Sequence, residues 1–183
     1  MKRSTVILLL LAAALGVACT KASLKTTYDK QTSYIEGFIT AQMKSDSKAT
    51  LTRNGDVCRL TLHDTLSRPD SLKPGGRVVL NYACYTLTSS SVNRSNLVST
   101  NSKTVASSAG WKLTDTTRFK LDTLVLGKDL VKGLQIGLEG VQQDDEAYIL
   151  FTGEYGFGAR ERGTIPARSA LIYQVWIKSI DNN

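Results

Sequence analysis

Residues 127–180 constrain the fold more than any other stretch, because they hold one amphipathic helix between apolar runs of strand length. Over 130–141, Leu130, Val131, Leu134, Leu138 and Val141 recur at helical spacing and define one apolar face. Gly140 stands near the end of that segment, where glycine accepts the left-handed backbone that closes a helix. Residues 147–151 and 171–177 are apolar and β-prone, as buried strands require. Gly153, Gly156, Gly158, Gly163 and Pro166 mark the connection between them as a loop. A single helix among strands must bury its stripe on a sheet face. The pattern predicts an α+β domain, with a bent antiparallel sheet of about five or six strands wrapped over one short helix.

Upstream, residues 49–66 read as a β-hairpin turning at Asn54-Gly55, a strong short turn signal. Leu72-Lys73-Pro74-Gly75-Gly76 is a turn that feeds a strand over 77–87. Residues 88–110 are rich in Ser, Thr and Asn and cannot bury a core alone, which predicts a loop or a ragged edge strand. Trp111, Leu113, Phe119, Leu121, Leu124 and Leu126 follow as core candidates.

The N-terminus reads as a targeting segment. Lys2 and Arg3 precede an apolar run over 6–15 that is too short to span a bilayer. Leu15-Gly16-Val17-Ala18-Cys19 resembles a bacterial lipobox, in which the cysteine is lipidated and becomes the first mature residue. That resemblance implies a lipoprotein signal peptide at 1–18 and a membrane anchor on Cys19. It also implies a cell-envelope location, leaning to the periplasmic side because no acid follows Cys19 closely. Polar residues 19–32 are expected to be a tether. Residues 33–48 are expected to form an extra N-terminal amphipathic helix, with Tyr34, Ile35, Phe38, Ile39 and Met43 at helical spacing and Thr32 or Ser33 as N-cap. Gly37 weakens that helix by about 1 kcal/mol. Its polar face is not notably basic, which favours packing on the domain or a partner over a membrane surface.

Removing 1–18 takes away two basic residues and no acid, lowering the formal charge from +7 to +5. The remaining bases are scattered among acids with no basic run, so nucleic acid is not an expected partner. His63 is the only histidine, and no His/Cys set has metal spacing. A metal site, a metal cofactor and a Ser-His triad are therefore not expected. Cys58 and Cys84 sit in predicted strands; export permits a disulfide between them, and two buried free thiols are the favoured state.

Four segments together resemble the FKBP-type peptidyl-prolyl isomerases. Leu130-Val131-Lys132-Gly133-Leu134-Gln135-Ile136-Gly137-Leu138 matches the family's helix motif, V-I-x-G-W-x-x-G-L. Tyr155-Gly156-Phe157-Gly158 matches its Y-x-Y-G loop. Ile165-Pro166 and the run through Ile177 match its final I-P-P-x-A-x-L-x-F-x-V-x-L strand. The strand over 77–87, after Pro74, matches its first, tyrosine-bearing strand. The resemblance implies an FKBP-like domain over 49–183 that acts on proline-containing polypeptides without a cofactor. It places a cup of Tyr82, Val131, Leu134, Phe157, Ile165 and Tyr173 at the site, with Leu97 and Leu130 as further substrate contacts. This chain departs from the family at several points. Leu134 stands for tryptophan, Phe157 lacks a hydroxyl, Val98 is the nearest match to a bulge carboxylate, and Asp122 or Leu124 stands where an aromatic is usual. These losses imply a slower isomerase, or a polypeptide-binding module on the same fold.

Overall fold

The computed structural model describes the backbone of residues 2–63, 68, 70–127 and 129–183, and side chains from residue 22 onward among these. Helix α1 spans Lys2–Ser45 and leads into the hairpin β1 (Thr50–Asn54) and β2 (Val57–Leu62). Then come β3 (Arg77–Thr86), β4 (Leu97–Thr100), α2 (Lys103–Ser108) and β5 (Asp122–Val125). Helix α3 (Lys132–Leu138), β6 (Glu146–Phe151) and β7 (Leu171–Asp181) complete the chain.

The seven strands form one sheet ordered β1-β2-β6-β7-β3-β4, with β5 also on β3, and every pairing is antiparallel. Seven strands stand where five or six were expected, because β4 and β5 are short pieces sharing one edge of β3. Pairing shifts by one residue between Val79 and Leu80 and again between Cys84 and Tyr85, and such bulges bend a sheet.

Side-chain alternation builds two cores from the same strands. Val78, Leu80, Cys84, Ile149, Phe151, Leu171 and Val175 face α3. Ala83, Tyr85, Leu150 and Ile172 face the other way, under Ile35, Phe38 and Ile39 of α1. Helix α3 lies directly on β6 because two glycines face that strand. A Cβ at Gly133 would meet the Phe151 ring at 2.2 Å, and one at Gly137 would meet Ile149 Cγ2 at 2.1 Å.

Several expectations need correction. Helix α3 is shorter than 130–141: Val131 is its N-cap residue and Glu139 its C-cap residue, so Leu130 and Val131 lie before it. Gly140 has φ 81, the left-handed backbone expected there. Helix α1 has no start at Thr32 or Ser33, and the segment expected as a tether is helical. Thr26, Thr27, Thr32 and Ser33 each donate a side-chain hydroxyl to the carbonyl four residues earlier, so they stay within the helix instead of capping one. Gly37 has a packing reason, since a Cβ there would come within 2.3 Å of Ser90 Oγ. Leu121 is 50% exposed and not core. The side chain of Cys19 and residues 64–66 of the expected hairpin lie outside what is described.

Cys58 and Cys84 are free and buried. They belong to opposite faces, on strands separated by β6 and β7. Three strand spacings are roughly 14 Å, about twice the Cα separation a disulfide tolerates. Among the described residues, no helix is long and apolar enough to cross a membrane.

Candidate functional site

Helix α3 is only 7 residues long and leaves part of its sheet face uncovered. The gap is a cavity of about 290 Å³ walled by Leu80 and Tyr82 of β3, Tyr173 and Val175 of β7, Leu124 of β5, Leu130, Val131, Leu134 and Phe157. Parity explains the strand contribution, because Leu80 and Tyr82, like Tyr173 and Val175, are two residues apart on one face. Tyr173 stacks on Phe151 at 6.0 Å between ring centroids and tilts against Tyr82 at 6.3 Å, which fixes both tyrosine rings. The volume lies at the small end for ligand sites and suits one compact apolar group.

Few polar atoms reach the interior. The Tyr82 hydroxyl and Ser99 Oγ share a hydrogen bond of 2.9 Å. The Tyr173 hydroxyl and the Cys84 thiol interact beneath the cup. Burial pushes the Cys84 thiol up to about 12 and the Tyr173 hydroxyl upward as well, so both stay neutral. Asp122, Asp129 and Arg162 stand exposed at the rim.

Asn101 sets the position of Tyr82. It fills the break in the β3 ladder between β5 and β4: Tyr82 N donates to its Oδ1 at 2.7 Å, and its Nδ2 donates to the carbonyls of Leu80 and Lys120 at 3.0 and 2.9 Å. The loop carrying Phe157 is clamped at both ends. Gly153 N donates to Gln31 Oε1 at 2.9 Å, and Gln31 Nε2 donates to the Arg168 carbonyl at 2.6 Å. A Cβ on Gly153 would come within 2.4 Å of Arg168 backbone, so the loop ends meet only through glycine. Gly133 N, at the start of α3, donates to the Tyr155 carbonyl at 2.8 Å, which holds the loop against the helix.

Residues 69–178 match the family model of the FKBP-type peptidyl-prolyl cis-trans isomerases. The chain belongs to that family. The N-terminal domain of FKBP42 from Arabidopsis thaliana is 18% identical with a TM-score of 0.51, over 75% of this chain and 94% of that one. FkpA from Escherichia coli is 13% identical with a TM-score of 0.55, over 99% of this chain and 74% of that one. At such identities the likeness shows the fold. No curated protein sequence matches the chain.

As an FKBP-type chain, this protein assembles most of the expected cup and redistributes the rest. Tyr82, Leu130, Val131, Leu134, Phe157 and Tyr173 share the cavity. Ile165 is buried and lines the adjoining hollow, which it shares with Val98. Leu97 lies outside the cup; it packs with Tyr85 and Ala83 on the α1 face and lines a separate hollow beside Trp111 and Arg118. The bulge between Cys84 and Tyr85 brings Ser99, not Val98, to the Tyr82 hydroxyl. Strand pattern alone gives no sign of that shift. Asp122 and Leu124 do stand at the cup, where an aromatic is usual in the family. Sequence reasoning also passed over Leu80 and Val175, which strand parity with Tyr82 and Tyr173 could have found. It missed Arg162 and Asn101, for which the sequence carries no local signal.

Proposed function

We propose that this protein is a lipid-anchored cell-envelope peptidyl-prolyl cis-trans isomerase of reduced rate, which assists folding of exported proteins on the periplasmic side. One observation carries the catalytic part: an apolar cup with aromatic walls, in which Tyr82 and Ser99 hydrogen-bond to each other and the charged residues stand at the rim. Rotation about an X-Pro bond is slow because amide resonance gives the C–N bond partial double-bond character. The twisted transition state has lost that resonance and its carbonyl is less polar. An apolar cup therefore binds it better than the planar amide, which water prefers. No nucleophile and no proton transfer is required. Tyr82, Tyr173 and Leu134 supply the wall and floor, Leu130 and Val131 the helix-side rim, and Phe157 the lid edge, with Ile165 beside it. Phe157 brings no hydroxyl, and Ser99 stands where a carboxylate would orient an amide more strongly, so a low rate is expected.

The test is a protease-coupled prolyl-isomerisation assay on the full chain. The wild type should exceed the uncatalysed rate, Phe157→Ala should fall below the wild type, and Phe157→Tyr should rise above it. If the wild type and Phe157→Ala both match the uncatalysed rate while circular dichroism shows folded protein, the catalytic reading fails. The cup would then be the site of a non-catalytic polypeptide-binding lipoprotein. The anchor rests on the lipobox-like sequence ending at Cys19. Metabolic fatty-acid labelling should mark the wild type and spare Cys19→Ala; equal labelling of both would refute it.

A further inference from the structure

The cup does not end at Phe157. A second hollow shares Ser99, Phe157, Arg162 and Tyr173 with it. A third, over Trp111 and Arg118, shares Val98 and Thr164 with the second. The three hollows adjoin one another along β4, beside the 88–120 segment and the 152–170 loop.

Their charge is uneven. Asp122 and Asp129 stand at the cup end and Arg118 at the other, with Arg162 lining both the cup and the second hollow. Segment 88–120 carries five basic side chains against one acid, Asp115. That carboxylate accepts both the N–H and the hydroxyl of Thr117, at 2.9 and 2.6 Å. The Arg118 guanidinium sits over neutral rings, 5.1 Å from Trp111 and 5.8 Å from Phe119. Aromatic contact fixes a guanidinium in place without cancelling its charge, and Asp115 feels that charge without reaching ion-pair distance. Among the described residues, neither Arg118 nor Arg162 lies within ion-pair distance of a carboxylate.

We propose that this row of hollows binds an extended polypeptide whose proline enters the cup and whose acidic side chain, on the β4 side of that proline, is read by Arg162 and Arg118. The inference rests on the cup being a polypeptide site. An apolar cup for one ring, with further hollows adjoining it along β4, fits a polypeptide. The two carboxylates at the cup end would repel a phosphate backbone.

The experiment measures binding and isomerisation separately on the full chain. Dye-labelled peptides with one central proline carry Glu, Ala or Lys at successive positions on either side, and fluorescence anisotropy reads their affinity at low salt. Glu on one side of the proline should bind about three- to tenfold more tightly than Lys at the same place, from two exposed charge contacts. High salt should shrink that ratio. Arg118→Glu and Arg162→Glu, both at exposed positions and checked for folding by circular dichroism, should each lower it, and the double variant should invert it. Equal affinities, absence of binding, an unchanged ratio in the double variant, or displacement by a single-stranded oligonucleotide at lower concentration than by the Glu peptide would overturn the proposal. A Glu preference in binding without rate acceleration supports the row of hollows as a polypeptide site and removes the isomerase reading. Acceleration that is equal for Glu and Lys peptides, bound equally, does the reverse.

Discussion

The two faces of the sheet are made from alternate residues of the same strands, yet one is sealed and the other is left open. On the α1 face, Ile35, Phe38 and Ile39 are 2%, 3% and 3% exposed, and a long helix covers Leu150 and Ile172. On the opposite face, α3 has only 7 residues, and Tyr82, Val131, Phe157 and Tyr173 stay partly buried around the cup. Helix length decides the difference. Two full turns cover Ile149 and Phe151 but do not reach Tyr82, so the uncovered part of an apolar sheet face becomes a binding site. The sealed face contributes rigidity, through Gln31 at the base of the Phe157 loop.

The largest effect should come from opening the sealed face. Phe38 meets Tyr148 edge-on at 5.0 Å between centroids, and Phe38→Ala should cost about 3–5 kcal/mol in urea unfolding. Isomerase rate per folded molecule should change little, because Phe38 lies across the sheet from the cup. Next is overpacking on the open face. Gly137→Val places atoms where Ile149 already stands and should cost about 3 kcal/mol. Unlike Phe38→Ala, it should also lower the rate, since it displaces the helix that carries Leu134. Equal rate losses in the two variants would mean that the faces are not separable.

The open face was the more legible of the two in the sequence. Its glycines stand at four-residue spacing in the helix motif, and a Cβ at either would collide with β6. The Asn54-Gly55 turn and the apolar strand runs were equally plain, because turn chemistry and side-chain alternation are local. What was hidden depends on distant partners. The extent of α1 was hidden because its hydroxyls are satisfied within the helix, where the sequence suggested caps. Ser99 was missed because a one-residue bulge decides which side chain of 97–100 faces the cup. Leu121 was expected inside on hydrophobicity alone and lies outside, one residue before β5 begins.

The link between the faces is testable at Gln31. Gln31→Ala leaves the buried Gly153 N–H without its acceptor and should cost about 1–3 kcal/mol. It should also lower the rate, unlike Phe38→Ala, because the freed residues are the two ends of the Phe157 loop. Hydrogen exchange at Gly153 should speed up relative to β3.

Titration separates the faces again. Burial pushes Cys84, on the open face, up to about 12 and raises Cys58, on the sealed face, by less. The unfolded chain gives up these protons from about pH 9, while the native state keeps them. The unfolded state then binds fewer protons than the native one. Stability is fully present below about pH 9 and falls as pH rises, for Cys84 toward 12 by up to about 1.4 kcal/mol per pH unit. Urea midpoints at pH 8, 9 and 10 should show a shallower decline in Cys84→Ala than in the wild type, and a smaller change in Cys58→Ala. Identical slopes in all three proteins would show that neither thiol is held neutral.

The smallest effect lies in the cup itself. Ser99 is half-buried, and its Oγ shares a hydrogen bond of 2.9 Å with the Tyr82 hydroxyl. The Tyr82 ring is held independently, by Asn101 on its backbone and by Tyr173 at its edge. Ser99→Ala should therefore leave the fold and the ring in place and release only the hydroxyl. A hydrogen bond of this kind is worth about 0.5–1.5 kcal/mol net, a factor of roughly two to ten in rate if it acts in the transition state. The loss should appear in kcat/KM, with the urea midpoint unchanged. Ser99→Asp provides the opposite arm: a carboxylate accepts a stronger bond from Tyr82 and offers the twisted amide a polar neighbour, so its rate should exceed the wild type. If Ser99→Ala lowers stability and leaves kcat/KM unchanged, the Tyr82–Ser99 pair belongs to the packing of the open face and not to its chemistry.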